Sequence, residues 1–179
     1  MAQTLTDAAR ALRDIPAASA RAAFRSVNKI AAKANTQVKR TIASQVMLPA
    51  SYVADKLSLQ QANLNNPTAI ITGRRRPTTL ASYGAKKLRN GKKPGVSVKV
   101  SRQGPRKVLK KAFLLTLKAG AEAGSAQGVF MRVGGKLKHL YGPSVDQLFR
   151  RIKDEISPQI VMDLSDAFFK QLDYELQRR

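Results

Sequence analysis

The sequence predicts an α+β domain: a long N-terminal helix, a small sheet of about four strands with a long basic loop, and a C-terminal helical pair. Three observations carry this prediction. Residues 17 to 47 contain no Pro or Gly and are rich in Ala, as a long helix requires. The hydrophobic period then shortens to two, most cleanly at Val96, Val98 and Val100 with Ser97 and Lys99 between them. From Pro158 onward it returns to four, at Ile160, Leu164, Phe168, Leu172 and Leu176. At 179 residues the chain fits one domain, 1–179, and its 43% apolar content suits a folded protein.

The first element is a helix over 17–47, opening behind Asp14 and Pro16. Ala23, Val27, Ile30, Ala34, Val38 and Ile42 lie on one face, and Arg21, Arg25, Lys29 and Lys33 on another. Residues 1–15 have helical spacing at Leu5, Ala8 and Leu12 but are marginal alone, which predicts a flexible or docked arm. Pro49 ends the helix, and Ser51 is placed to cap a short one through SYVADKL.

The sheet region follows over 57–140. Its strands are expected at Leu57 and Leu59, at Ala69 to Ile71, at 96–100 and at Gly128–Val133; 108–117 reads either as a strand or as a helical turn. The basic loop spans 73–95, its Gly84–Gly95 part reading as mobile. The C-terminal helices occupy 144–179. Ser144 caps the first, whose face is Val145, Leu148, Phe149, Ile152 and Ile156, and Ser157–Pro158 breaks it before the second. This second helix is expected to bury its stripe of every fourth residue.

Charge is the feature that bears on function. The chain has 33 Lys or Arg against 11 Asp or Glu, a net +22, and from Gly73 to Lys111 it carries fourteen basic residues and no acidic one. Residues 146 to 179, by contrast, hold six basic and seven acidic groups. Such an uncompensated block calls for a polyanion or an acidic partner. Arg74, Arg75, Arg76, Lys86, Lys87, Arg89, Lys92 and Lys93 are the candidate contacts. They would lie along phosphates without reading sequence, because Tyr83 is the only aromatic in the block and offers no stacking platform.

Catalytic patterns are missing. No cysteine is present, which removes disulfides, thiolate nucleophiles and Cys-based zinc sites. The one histidine, His139, stands in an acid-poor stretch and is expected to be structural. Asp163 and Asp166 read as a solvated helix face rather than a magnesium site. Gly134-Gly135-Lys136 lacks the earlier glycine and the following Ser or Thr of a phosphate loop. The expectation is therefore no enzyme, no cofactor and no metal. No 18-residue apolar run and no signal-peptide core occur, so no membrane partner is expected and the chain should first fold in the cytoplasm.

Gly128-Val129-Phe130-Met131-Arg132, then a short basic turn and Leu140-Tyr141-Gly142-Pro143-Ser144-Val145 leading into a long helix, resemble the minor tail protein Z family of lambda-like tailed bacteriophages and prophages. The Ala- and Arg-rich first helix, RPTTL at 76–80 and GVSVKV at 95–100 agree in order, so the resemblance covers nearly the whole chain. It implies a structural virion protein of the phage neck or tail terminus, acting in tail completion, head-tail joining and genome passage, and assembled in the bacterial host cytoplasm. It further implies a homo-oligomeric ring, often a hexamer, with neighbouring neck and tail proteins or lumenal DNA facing the basic surface. The alternative reading is a free, sequence-nonspecific nucleic-acid-binding protein using the same charges in solution. Within the motif, Gly142 permits a tight turn and Pro143 sets φ at a helix start, so LYGPSV reads first as a fixed joint.

Overall fold

The computed structural model describes residues 2–88, 95–116 and 127–177. The elements run α1 (Ala2–Gln45), α2 (Ala50–Asp55), β1 (Leu57–Gln60), β2 (Ile70–Gly73), β3 (Thr78–Thr79), a 3-10 turn (Leu80–Ser82), β4 (Lys86–Lys87), β5 (Gly95–Val98), β6 (Lys107–Lys110), β7 (Ala112–Thr116), β8 (Gln127–Val133), β9 (Lys136–Gly142) and α3 (Val145–Gln177). The α+β class holds, with helices before and after the strands. The chain divides into a helical unit (Met1–Gln37, Ser58–Thr72, Lys153–Arg179) and a sheet unit (Val38–Leu57, Gly73–Ile152).

In the helical unit α1 begins well before the expected Ala17. Pro16 lies inside it, giving up one backbone donor, while its own carbonyl accepts the Ser19 hydroxyl at 2.9 Å. Every fourth residue from Ala18 to Ile42 is buried. Steps of four on a helix of 3.6 residues per turn advance about 40° each. The stripe therefore winds around α1, with Ala18, Ala22, Ser26, Ile30 and Ala34 buried in the helical unit and Val38 and Ile42 buried in the sheet unit. That winding displaces Ala23 and Val27 from the expected seam; both are only half-buried.

α1 and α3 run antiparallel, tied by Arg21 and Arg25 to Glu175 and by Lys33 to Asp163. The Asn28 amide closes the same unit, donating to the Ala62 carbonyl at 2.9 Å and accepting from its N–H at 2.7 Å.

Two details of the C-terminal region differ from expectation. α3 is one helix rather than a pair, because Pro158 is accommodated inside it and the Lys153 carbonyl accepts the Ser157 hydroxyl at 2.6 Å. The stripe Ile160, Leu164, Phe168 and Leu172 is half-buried, Leu176 is exposed, and Glu175 is the buried residue.

The sheet unit holds two antiparallel sheets, ordered β3-β9-β8-β7 and β4-β5-β6, while β1 and β2 pair separately. The strand count thus exceeds the expected four. Residues 107–116 form two strands rather than a helical turn, and between them Lys111 takes φ 67°, where the chain leaves one sheet and enters the other. β9 occupies the stretch expected to be a basic turn, since Gly134 and Gly135, both at positive φ, make the turn from β8. Val96, Val98, Ala112 and Val129 form the core, with Leu80, Leu109, Leu114 and Leu140 packed on it.

The expected basic loop 73–95 is in its described part a built segment: β3, the 3-10 turn and β4, with Tyr83 fully buried. α2 follows Pro49, and Ser51 is an exposed helix residue rather than its cap.

Candidate functional site: a motif joint and a basic surface

The LYGPSV segment is the end of β9 and the start of α3. Leu140 points into the core, while Tyr141 lies on the opposite sheet face, 49% exposed. Gly142 pairs with Thr78, and a Cβ there would stand 2.6 Å from the Tyr83 ring. The Tyr83 hydroxyl donates to the Pro143 carbonyl at 2.6 Å. Burial is the main cause that pushes this phenol up to about 12, partly offset by the hydrogen bond with Thr78. Ser144 and Gln147 form a reciprocal capping box: the Gln147 N–H donates to the Ser144 hydroxyl at 3.1 Å, and the Ser144 N–H to the Gln147 side-chain oxygen at 2.9 Å. Val145 is 1% exposed. Apart from the half-exposed Tyr141, the motif is thus engaged in packing, turning and capping.

The start of the basic run docks on the same joint. Gly73 is buried where a Cβ would meet the Asp146 backbone at 2.9 Å. The Arg74 N–H donates to the Lys56 carbonyl at 2.9 Å, and the Arg74 carbonyl accepts from the Asp146 N–H at 3.3 Å. Tyr83 and Gly73 were missed as structural residues by sequence reasoning. A lone aromatic inside a charged run was the available signal, because burial is the usual fate of such a side chain.

His139 is occupied by packing. Its ring stacks on Phe130 with centroids 4.4 Å apart and tilts against Tyr141 at 4.2 Å. Its Nε2 lies 3.0 Å from the Thr79 hydroxyl, and burial pushes its pKa down. Among the described residues no carboxylate joins it, and no group of three or more His, Asp or Glu could hold a metal ion.

The candidate basic contacts fall into distinct settings. Arg75 and Arg76 are exposed, Arg74 is half-buried, and Lys86 and Lys87 stand exposed on β4, an edge of the three-stranded sheet. Lys107 and Lys110 occupy the other edge, β6. Lysines on edge strands block edge-to-edge pairing, which gives these four a structural use alongside any binding one. Arg89, Lys92 and Lys93 lie outside the described residues. Two arginines of the block serve the fold. Arg102 donates to the carbonyls of Ala43 and Val46 at 2.7 and 3.0 Å, and Arg106 to those of Gly84 and Ser97 at 2.6 and 3.0 Å.

Charge divides along the same line as the two units. The helical unit holds ten basic and eight acidic residues, net +2; the sheet unit holds 23 and three, net +20. Within the helical unit, acids on α3 neutralise bases on α1. Among the described residues, Arg75, Arg76, Lys86, Lys87, Lys107 and Lys110 have no carboxylate partner.

A family model described as prophage minor tail protein Z matches residues 3–179. The chain belongs to that family. Comparison with curated proteins and with solved structures gives no match. A minor tail protein is a structural component of a phage tail, located in the virion and in contact with other tail proteins. For a minor tail protein Z, the joint built on LYGPSV is thus a feature of the scaffold, and the sheet unit is the part that carries the excess positive charge. No helix among the described residues is long and apolar enough to cross a membrane.

Proposed function

We propose that this chain is a non-enzymatic tail-completion protein at the head-proximal end of a phage tail, assembled as a ring, with its sheet unit turned to a polyanion. The observation that carries the reading is the division of charge: +20 on one compact unit and +2 on the other. Copies brought together in a ring would concentrate like charge, and only DNA in the lumen or acidic neighbouring subunits would offset it. Arg75, Arg76, Lys86 and Lys87 are exposed and, among the described residues, without carboxylate partners, as groups held for an external anion should be. Arg74, Arg89, Lys92 and Lys93 complete the proposed contact. The surface is sequence-blind, because the contacts are to charge.

Location and charge are tested together. Cryo-EM of purified particles should show several copies around the tail axis at the head-proximal end, with the sheet unit nearest DNA density or an acidic subunit. Particles lacking the protein, with the purified chain binding free DNA as a monomer, would replace this reading with that of a free nucleic-acid-binding protein.

A further inference from the structure

The second half of α3 presents an apolar stripe, exposed except at the half-buried Leu172. Val161, Met162 and Phe169 are 66%, 65% and 61% exposed, and with Leu172 and Leu176 they fall within an arc of about 100°. One edge of the stripe is acidic. Glu155, Asp166 and Asp173 lie within the next ~40° of the helix, exposed, and among the described residues they have no ion-pair partner. The other α3 carboxylates are satisfied within the chain: Asp146 by Arg150, Asp154 by Lys153, Asp163 by Lys33 and Glu175 by two arginines. A cover for this stripe must therefore be apolar and basic along one side.

The sheet unit carries a face of that description. On the side of β3-β9-β8-β7 away from the core, Leu137, Tyr141 and Leu115 are 55%, 49% and 38% exposed. Arg132, paired in register with Leu137, projects on the same face and supplies its positive charge, whereas Lys136 and Lys138, also exposed on β9, project on the opposite one. We infer that the acid-edged stripe of α3 is the seat of a second copy of this chain, which docks through the outer face of its four-stranded sheet. The two patches differ, so the contact is heterologous and repeats from copy to copy until it closes as a ring or continues as a filament. The inference rests on the self-assembly part of the reading above and makes no use of DNA.

The chain has no cysteine, so introduced cysteines report the contact directly. A variant carrying both Phe169→Cys and Leu137→Cys, or Phe169→Cys and Tyr141→Cys, is oxidised as purified full-length protein and again in particles. The expected result is a ladder of covalent oligomers. A mixture of the two single variants should stop at dimers, and Val108→Cys, on the other sheet, should give neither when paired with Phe169→Cys. Asp166→Arg with Asp173→Arg should lower the crosslink yield about tenfold, and adding Arg132→Glu should recover part of it. Dimers from Phe169→Cys alone would mean that α3 pairs with itself and would overturn the inference, as would the absence of any crosslink in both settings. If particles contain a ring that forms no ladder, the inference fails while the assembly reading stands. If particles lack the protein, that reading fails and the purified chain still decides the inference.

Discussion

At Gly142 the chain comes so close to Tyr83 that no side chain fits, and this pair explains most of what the LYGPSV motif does. Replacing Gly142 by Ala forces a methyl group to 2.6 Å from a ring that is fully buried and cannot retreat. The expected cost is ~2 kcal/mol, read as a Tm lowered by about 4–8 °C. Tyr83→Phe keeps the ring but loses the hydrogen bond to the Pro143 carbonyl, at a cost of about 1 kcal/mol. The same residue predicts an alkaline limb. Its phenol stays protonated in the folded state up to about 12, whereas in the unfolded chain it ionises near 10. Between those values the unfolded state binds fewer protons, so this stabilisation is complete below pH 10 and is lost as pH rises toward 12. Thermal unfolding on both sides of pH 10 should show the gap between wild type and Tyr83→Phe shrinking as pH rises; a constant gap would remove Tyr83 from the account.

Elements are held together by opposite means in the two units. In the helical unit, a near-neutral pair of helices is tied across by ion pairs; the Arg21 guanidinium is the main cause that holds Glu175 below its ordinary value, and Lys33 does the same for Asp163. Both carboxylates are depressed, so their stabilisation is present above the ordinary carboxylate range and lost as pH falls through it. Glu175→Gln should lower the Tm at neutral pH, where it leaves Arg21 and Arg25 without an anion, and should flatten the acid limb seen in wild type. An unchanged acid limb would show that the tie contributes nothing. In the sheet unit, strands meet over an apolar core, and the lysines of β4 and β6 guard the open edges. Small residues at Ala18, Ala22 and Ala34 are buried along α1, so Ala34→Leu should overpack the seam and cost about 1–3 kcal/mol by chemical denaturation.

Across the whole molecule, charge is divided unequally, with most of the excess on the sheet unit. Replacing Arg75, Arg76, Lys86 and Lys87 together by Ala should leave the Tm nearly unchanged, since all four are exposed and unpaired among the described residues. If these side chains lie against DNA, the slope of log K against log salt should fall by about 0.9 for each phosphate they had neutralised, up to ~4 in total. An unchanged slope, with particle assembly impaired, would assign the surface to an acidic subunit instead. Arg102 and Arg106 are excluded from that set, because their guanidinium groups are committed to backbone carbonyls.

The sequence alone determined the α+β class, the long first helix, the β5 and β8 strands, the Ser144 cap and the family, since each depends on local periodicity, capping chemistry or a contiguous motif. It also located the charge along the chain, because charge is additive and needs no fold. What it could not show was pairing at a distance. Whether Pro16 and Pro158 end a helix or are carried through it is not written in the local sequence, since either outcome is open to a proline that gives up one backbone donor. That the basic segment is pinned by Tyr83, that β9 follows a two-glycine turn, and that α3 acids answer α1 bases all depend on which residues meet in space. Tertiary structure alone converted a basic middle and a neutral end into two units of unequal charge, because folding brings residues 1–37 and 153–179 together and leaves the central block to the sheets.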